Sequence, residues 1–407
     1  MDPGDPLGRQ ALGRWRNAVI TAFGLGGLTV ATWGPRLPAV KAELRVGTAT
    51  IGLVLACATI GAVGGLVAAT ALLTRLGGRR AVMTALLVIA VALAVMGAAI
   101  TLRSVPLTGA GFAVAGFGIG TLDVLINAQG SAVERAAGRT LLPLMHGGWS
   151  VGAAAGAAIG AACAAAGITP TRQFAGLAIA VAILSPVISR AIPAAALPAE
   201  PEEPKEKRPA RIREWLRGWT DARLLIIGVV MLGVELGEGS ANNWLTLAAQ
   251  DSHSQSSAIA ALFFTVFAAS EAAARIFGGP AVDRLGRVRT IRFTTALGII
   301  GVLLFILSGS TLLILTGVVF WAAGVSMGFP LGMSAAAEGG GNPAARVSVV
   351  ASIGYFANLA GPPALGFLAQ SFGLLGAFWL IVALLAASFA GAGAFRPASP
   401  AEHQPGE

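Results

Sequence analysis

Twelve apolar stretches of membrane-spanning length, sorted six and six around one charged linker, fix most of what this 407-residue chain can fold into. A helix needs about 20 mostly apolar residues to cross the roughly 30 Å hydrocarbon core of a bilayer. Such stretches fall at about 17–35, 48–73, 81–101, 107–132, 141–166, 172–192, 222–247, 256–281, 289–309, 311–336, 346–369 and 373–395. The expected fold is all-α and integral to a membrane, with 12 transmembrane helices. Charged residues make up only 12% of the chain, about half the ~25% of a soluble domain, so the lipid bilayer is its main solvent. The 55 glycines recur inside the apolar stretches, where small residues let neighbouring backbones approach closely.

A formal charge of +9 would fit a nucleic-acid binder, but the basic residues gather into no face with interleaved aromatics, so no nucleic acid is expected as a partner. They sort by membrane side instead. With the N-terminus cytoplasmic, the cytoplasmic segments hold 22 of the 28 Lys and Arg. The positive-inside rule then places both termini in the cytoplasm of a multi-pass protein in the plasma (inner) membrane. Cys57 and Cys163 fall within apolar stretches and read as small apolar groups rather than a disulfide. The first apolar run lacks a small-residue cleavage pattern and reads as a retained span, not a removed signal peptide.

Residues 193–221, rich in Pro and charge, form the one clear linker. They divide an N-terminal six-helix bundle at 1–192 from a C-terminal six-helix bundle and tail at 222–407. Ile212, Trp215, Leu216 and Trp219 at helical spacing, with Arg211, Arg213 and Arg217 among them, predict a short interfacial helix, a solvated basic linker being the alternative. The halves echo each other at an offset of about 208 residues: TRLGGRR at 74–80 answers DRLGRVR at 283–289, and GFGIG at 116–120 answers GVSMG at 324–328. A parallel repeat of six spans predicts two pseudo-symmetric bundles with a solute path at mid-depth.

At these residues the chain resembles the major facilitator superfamily (MFS) of transporters. Gly279, Asp283, Arg284, Gly286, Arg287 and Arg289 match its signature loop, and the first-half copy keeps Arg75, Gly77, Arg79 and Arg80 but has Thr70 and Thr74 in place of Gly and Asp. The resemblance implies a gating role for these loops, with Asp283 and Arg284 as a charge latch of one alternating-access state. ATWGPRLPAVKAEL, DVLINAQG, HGGWSVG, EGSANNW and RVSVVASIGY further resemble a bacterial branch related to L-fucose:proton symporters. That branch has an acid at the place of Asp123 followed four residues later by an Asn, and usually an Asp where this chain has Asn243.

The remaining chemistry lies in polar groups inside the bilayer. Asp123 shares a helical face with Gly116, Gly120, Asn127, Gly130 and Glu134. An Asp near mid-membrane costs about 2.5–3.5 kcal/mol on insertion scales, so it ordinarily faces the bundle interior or a wet cavity. Asp123 reads either as a proton-coupling group or as a structural carboxyl. Asn127 suits a polar solute, the carboxyl itself, or helix bridging. His146 lies beside Trp149 and Ser150; it reads as a proton relay or as a hydrogen-bonded structural group. Glu235, Glu238 and Asn242 share a face, followed by Asn243, and the two acids read as sharing a proton or as anchoring the bundle. Glu271 and Arg275, at i and i+4, read as a structural ion pair. Tyr355 and Asn358 line a cavity or join helices.

No metal ligands are suitably spaced, no phosphate-binding loop is present, and no cofactor is expected. The expected activity is non-enzymatic: secondary active transport of a small solute by alternating access, as proton-coupled symport of a sugar-like polar compound by a monomer. Proton-coupled export of drugs or metabolites is equally compatible with the motifs. A non-transporting membrane sensor or assembly partner is the rival from another class.

Overall fold

The computed structural model describes residues 9–138, 141–193, 216–338 and 343–396. Ile212 and Trp215 of the predicted interfacial helix, and both chain ends, lie outside them. The helices are α1 (Arg9–Trp33), α2 (Leu37–Leu44), α3 (Thr48–Thr101), α4 (Val105–Ala137), α5 (Leu142–Ala165), α6 (Pro170–Ala191), α7 (Ala222–Asp251), α8 (Ser257–Leu285), α9 (Arg287–Leu307), α10 (Thr311–Val325), α11 (Gly328–Ala337), α12 (Pro343–Ala377) and α13 (Trp379–Gly391).

A helix of 54 residues such as α3 is about 80 Å long at 1.5 Å per residue, far more than one crossing requires. Its backbone explains the length: Gly77 has φ 74° and ψ 159°, which ends one helix and starts another. Gly373 breaks α12 in the same way, at φ 73° and ψ 166°. Nine helices among the described residues are long and apolar enough to cross a membrane, and one bent pair makes ten. Separating α3 at Gly77, and α12 at Gly373 with its last turn joined to α13, gives the twelve expected spans. Local sequence sets their ends. Ser104 and Thr169 accept from the backbone N–H of Leu107 and Arg172 at the starts of α4 and α6, and Gly138 closes α4 at φ 61°.

Gly286, between α8 and α9, adopts φ 75° and ψ 161°, matching Gly77 in the other half. This region is closed to nearly every residue except Gly, and strain there is about 1–3 kcal/mol. Gly286→Ala is therefore expected to lower the unfolding midpoint followed by tryptophan fluorescence, whereas Arg289→Ala, at an exposed site, leaves it unchanged.

Contacts divide the chain into two units, Met1–Ala199 with Ala249–Thr265, and Glu200–Ala248 with Val266–Glu407. In the first, α3 packs on α4 and α6, and α1 on α5. A methyl group on Gly116 or Gly120 would overlap the backbone of Ala58 or Ala62, and one on Gly152 or Gly156 would overlap that of Gly24 or Leu28. Close backbone packing, without a hydrophobic drive between helices in lipid, is what these seams supply. Trp15 donates to Gln129 Oε1 at 2.9 Å, tying α1 to α4.

In the second unit α9 packs on α10 and α13. Leu224, Ile227, Val230 and Met231 of α7 join Ile291, Leu331, Val350 and Phe395 in one apolar core. Asp221 starts α7 by accepting from the backbone N–H groups of Arg223 at 2.9 Å and Leu224 at 3.2 Å, and Arg346 Nη1 lies 2.9 Å from its other oxygen. Partial burial pushes the Asp221 pKa up, but the Leu224 N–H, Arg346 and the Arg223 N–H outweigh it and hold the carboxyl below its ordinary value. A depressed folded pKa adds stability above the unfolded value and loses it as pH falls through the folded one. The deficit of Asp221→Asn against wild type is thus expected at pH 7 and shrinks below about pH 4, the ordinary carboxyl range, in unfolding midpoints taken from pH 7 to 3.

Candidate coupling and solute-binding residues

An aromatic clamp sets the rotation of α7. Trp321 donates its indole N–H to the Gly237 carbonyl at 3.1 Å, and its ring lies 5.9, 5.8 and 5.4 Å from those of Phe267, Phe305 and Phe378. Gly237 sits between Glu235 and Glu238, so pinning it fixes where both acids project.

Glu235 Oε2 accepts from Asn358 Nδ2 on α12 at 2.9 Å. Glu238 Oε2 accepts from Arg275 Nη2 on α8 at 2.7 Å. The same nitrogen lies 2.7 Å from Glu271 Oε1, one turn earlier in α8, and Arg275 Nε donates to the Ser326 carbonyl at 3.2 Å. The Glu271 contact is ionic rather than an aligned hydrogen bond, because Glu271 Oε1 has no hydrogen-bond partner. Three carboxyls and one guanidinium therefore cluster on α7 and α8, with Asn358 of α12 beside them. The Glu271–Arg275 pair follows the i,i+4 spacing expected for it. What spacing did not reveal is that Arg275 also holds Glu238, 37 residues away; a planar fork with five donors can serve two acids at once.

Around this network, Asn243 turns back to its own helix and donates to the Gly239 carbonyl at 2.7 Å. The Asn242 side chain is half-buried, and Tyr355 is 47% exposed on α12. Trp244 is fully buried, and among the described residues its indole N–H has no partner. It lines a cavity of about 10 Å³ with Ser240, Asn243 and Asn358, room for about one water. A tryptophan in an apolar run gives no sign in sequence that its N–H is unpaired.

In the first unit, Asn127 Nδ2 donates to Asp123 at both the backbone carbonyl, 2.9 Å, and Oδ1, 3.2 Å. His146 interacts electrostatically with Asp123, and its ring lies 5.0 Å from that of Phe23. Trp149 packs against Gly26 and Gly27 of α1. Glu134 leaves the proposed polar face to accept from the Leu141 N–H at 2.7 Å. Of the signature-loop residues, Arg75, Arg80, Gly279, Asp283 and Arg284 are exposed and Arg79 is half-buried. Arg287 lies 2.7 Å from Glu338 Oε1 and donates to Ser334 Oγ at 2.9 Å. Among the described residues, Asp283 and Arg284 form no ion pair.

The Major Facilitator Superfamily profile matches residues 18–337 and 235–407. An uncharacterised MFS-type transporter of Yersinia pestis is 28% identical over 366 residues, 89% of this chain and 91% of its own length. An uncharacterised transporter of Sinorhizobium fredii is 29% identical over 385 residues, 93% of this chain and 98% of its own. Among solved structures, a point mutant of the nucleoside transporter NupG aligns with TM-score 0.78 at 13% identity, over 94% of this chain and 100% of that one. The Escherichia coli fucose:proton symporter FucP aligns with TM-score 0.60 at 14% identity, over 94% and 98%. At such identities the solved structures speak for the fold alone. With the profile spanning both halves and the fold shared end to end, the chain belongs to the Major Facilitator Superfamily and is a secondary transporter rather than an enzyme.

Proposed function

We propose that this transporter couples proton movement to symport of a small sugar-like polar compound by alternating access. The observation that carries the reading is the charge balance of one cluster on α7 and α8: among the described residues, Glu235, Glu238 and Glu271 gather around a single cation, Arg275. Ionised carboxyls in a span are expensive and ordinarily mark an ion or solute path. A site with more acids than cations has room to take a proton and release it. Glu235, which accepts from the neutral amide of Asn358 and forms no ion pair among the described residues, is the exchanging group of this reading, and Glu238 is the one that Arg275 holds. Asp123, with His146 in range, is the corresponding group of the first unit. Asn127, Trp149, Asn242, Asn243, Tyr355 and Asn358 offer the amide, indole and phenol groups that a hydroxylated solute needs.

Two structural neighbours named for a fucose:proton symporter and a nucleoside transporter are consistent with a polar solute. The bias of basic residues supports cytoplasmic Gly77 and Gly286 loops, cytoplasmic termini and residence in the plasma membrane. The Pro- and charge-rich linker at 193–221 and the echo of TRLGGRR in DRLGRVR support two bundles, 1–192 and 222–407.

Uptake of labelled L-fucose and uridine into proteoliposomes under an imposed acid-outside gradient tests the reading. Wild type is expected to accumulate one of them until the gradient is dissipated, and Asp123→Asn to lose at least tenfold of that accumulation. Unchanged coupled uptake by Asp123→Asn removes that residue from the mechanism. Accumulation that ignores the gradient sinks proton symport altogether.

A further inference from the structure

The end of the first unit away from Gly77 holds a cavity with a few polar groups on a largely apolar lining, and it contains none of the proposed coupling residues. The chain turns at Gly34–Arg36 between α1 and α2, stiffened by Pro35 and Pro38. This turn, one face of α2 and the connection from α5 to α6 enclose about 270 Å³. Gln250 and Ser257, from the Ala249–Thr265 segment of the same unit, complete the wall. Ala42, Gly167 and Thr169 on the lining are exposed, so the cavity can be reached from solvent.

Among the described residues, two buried polar atoms on this lining lack partners. Arg36 is only 3% exposed. Its Nη2 donates to the Ile168 carbonyl, but its Nε–H has no acceptor, and Gln250 Oε1 has no donor. Buried donors and acceptors are ordinarily bonded, and buried charges ordinarily paired. Glu43, on the same lining, acts on Arg36 through space, yet the two form no ion pair. The cavity thus presents a positive charge with a free donor, a free acceptor and a separate negative charge.

The ligand that complements all three carries a carboxylate and an ammonium a few ångströms apart. We propose that this cavity binds a small zwitterion of the α-amino acid class, its carboxylate on Arg36 and its ammonium on Gln250 and Glu43. A neutral polyol answers the free donor and acceptor but neither charge. A simple anion answers Arg36 but meets Glu43. The volume lies just below the ~300–1,000 Å³ of drug-sized pockets, as suits a ligand of few heavy atoms. Lys41 of α2 and Asp251 at the end of α7 already join the same two walls at 2.5 Å. A bound zwitterion adds a second tie between α2 and Gln250.

Thermal unfolding of the purified full chain with glycine, L-alanine or L-serine tests this, with acetate and methylammonium, which each carry one of the two charges, as controls. The amino acids are expected to raise the midpoint with dose, because a ligand bound only by the folded form stabilises it, and the controls are not. Arg36→Gln weakens the apparent affinity at least tenfold. Because Arg36 also holds Ile168, Gln250→Leu, which leaves that bond alone, is the second variant and weakens it as well. No shift with any of the three amino acids, a shift kept in full by both variants, or an equal shift with acetate or methylammonium overturns the proposal. The readout is binding rather than flux, so its failure is distinct from a failure of proton symport.

Discussion

Glu235→Gln is expected to abolish gradient-driven accumulation, by at least tenfold, while leaving solute exchange at equal concentrations intact. The substitution keeps shape and one hydrogen bond. A glutamine carbonyl oxygen still accepts from Asn358 Nδ2, as the carboxylate does at 2.9 Å, but it cannot bind and release a proton. Binding and conformational exchange therefore survive, and only the link to protons is cut. Counterflow and acid-gradient uptake, measured on the same proteoliposomes, separate the two. Full gradient-driven uptake by Glu235→Gln would exclude Glu235 as the coupling group and return the role to Asp123.

Arg275→Met carries the larger stability effect. It removes the cation held by Glu238 and Glu271 and the donor to the Ser326 carbonyl. Breaking a buried ion pair from one side leaves an uncompensated charge and costs about 3–5 kcal/mol. The Arg275 side chain is 38% exposed, whereas that of Glu271 is 9%, so the low end, about 3 kcal/mol, is expected. For a protein of ordinary stability, about 5–15 kcal/mol, that is a large share, visible as a lower unfolding midpoint and reduced folded yield. Adding Glu271→Gln to Arg275→Met removes the orphaned charge and is expected to recover part of the loss. If the double variant is no more stable than the single one, packing of the Arg275 stem, not charge balance, is what α8 requires.

The fold was legible because lipid imposes a length and a composition on every crossing, and the apolar stretches report both. Even the break at Gly77 could be anticipated from the TRLGGRR and DRLGRVR echo, since equivalent glycines sit at equivalent corners. The acids were legible too, because any carboxylate in an apolar helix stands out. Their partners were not. Sequence places Glu271 beside Arg275 by helical spacing, but the bonds from Arg275 to Glu238 and from Asn358 to Glu235 join residues 37 and 123 positions apart. Such bonds depend on how α7, α8 and α12 lean together. The Arg36 cavity was hidden for the same reason: a lone Arg in a proline-rich turn reads as a surface loop until its burial is known.

The corner between α8 and α9 is one residue long, Gly286 alone, and the corner inside α3 is likewise a single glycine. A joint that short stores no slack. Tilting the span before it must swing the span after it, with no loop to absorb the displacement, so each such pair behaves as one bent lever rather than as two rods on a string.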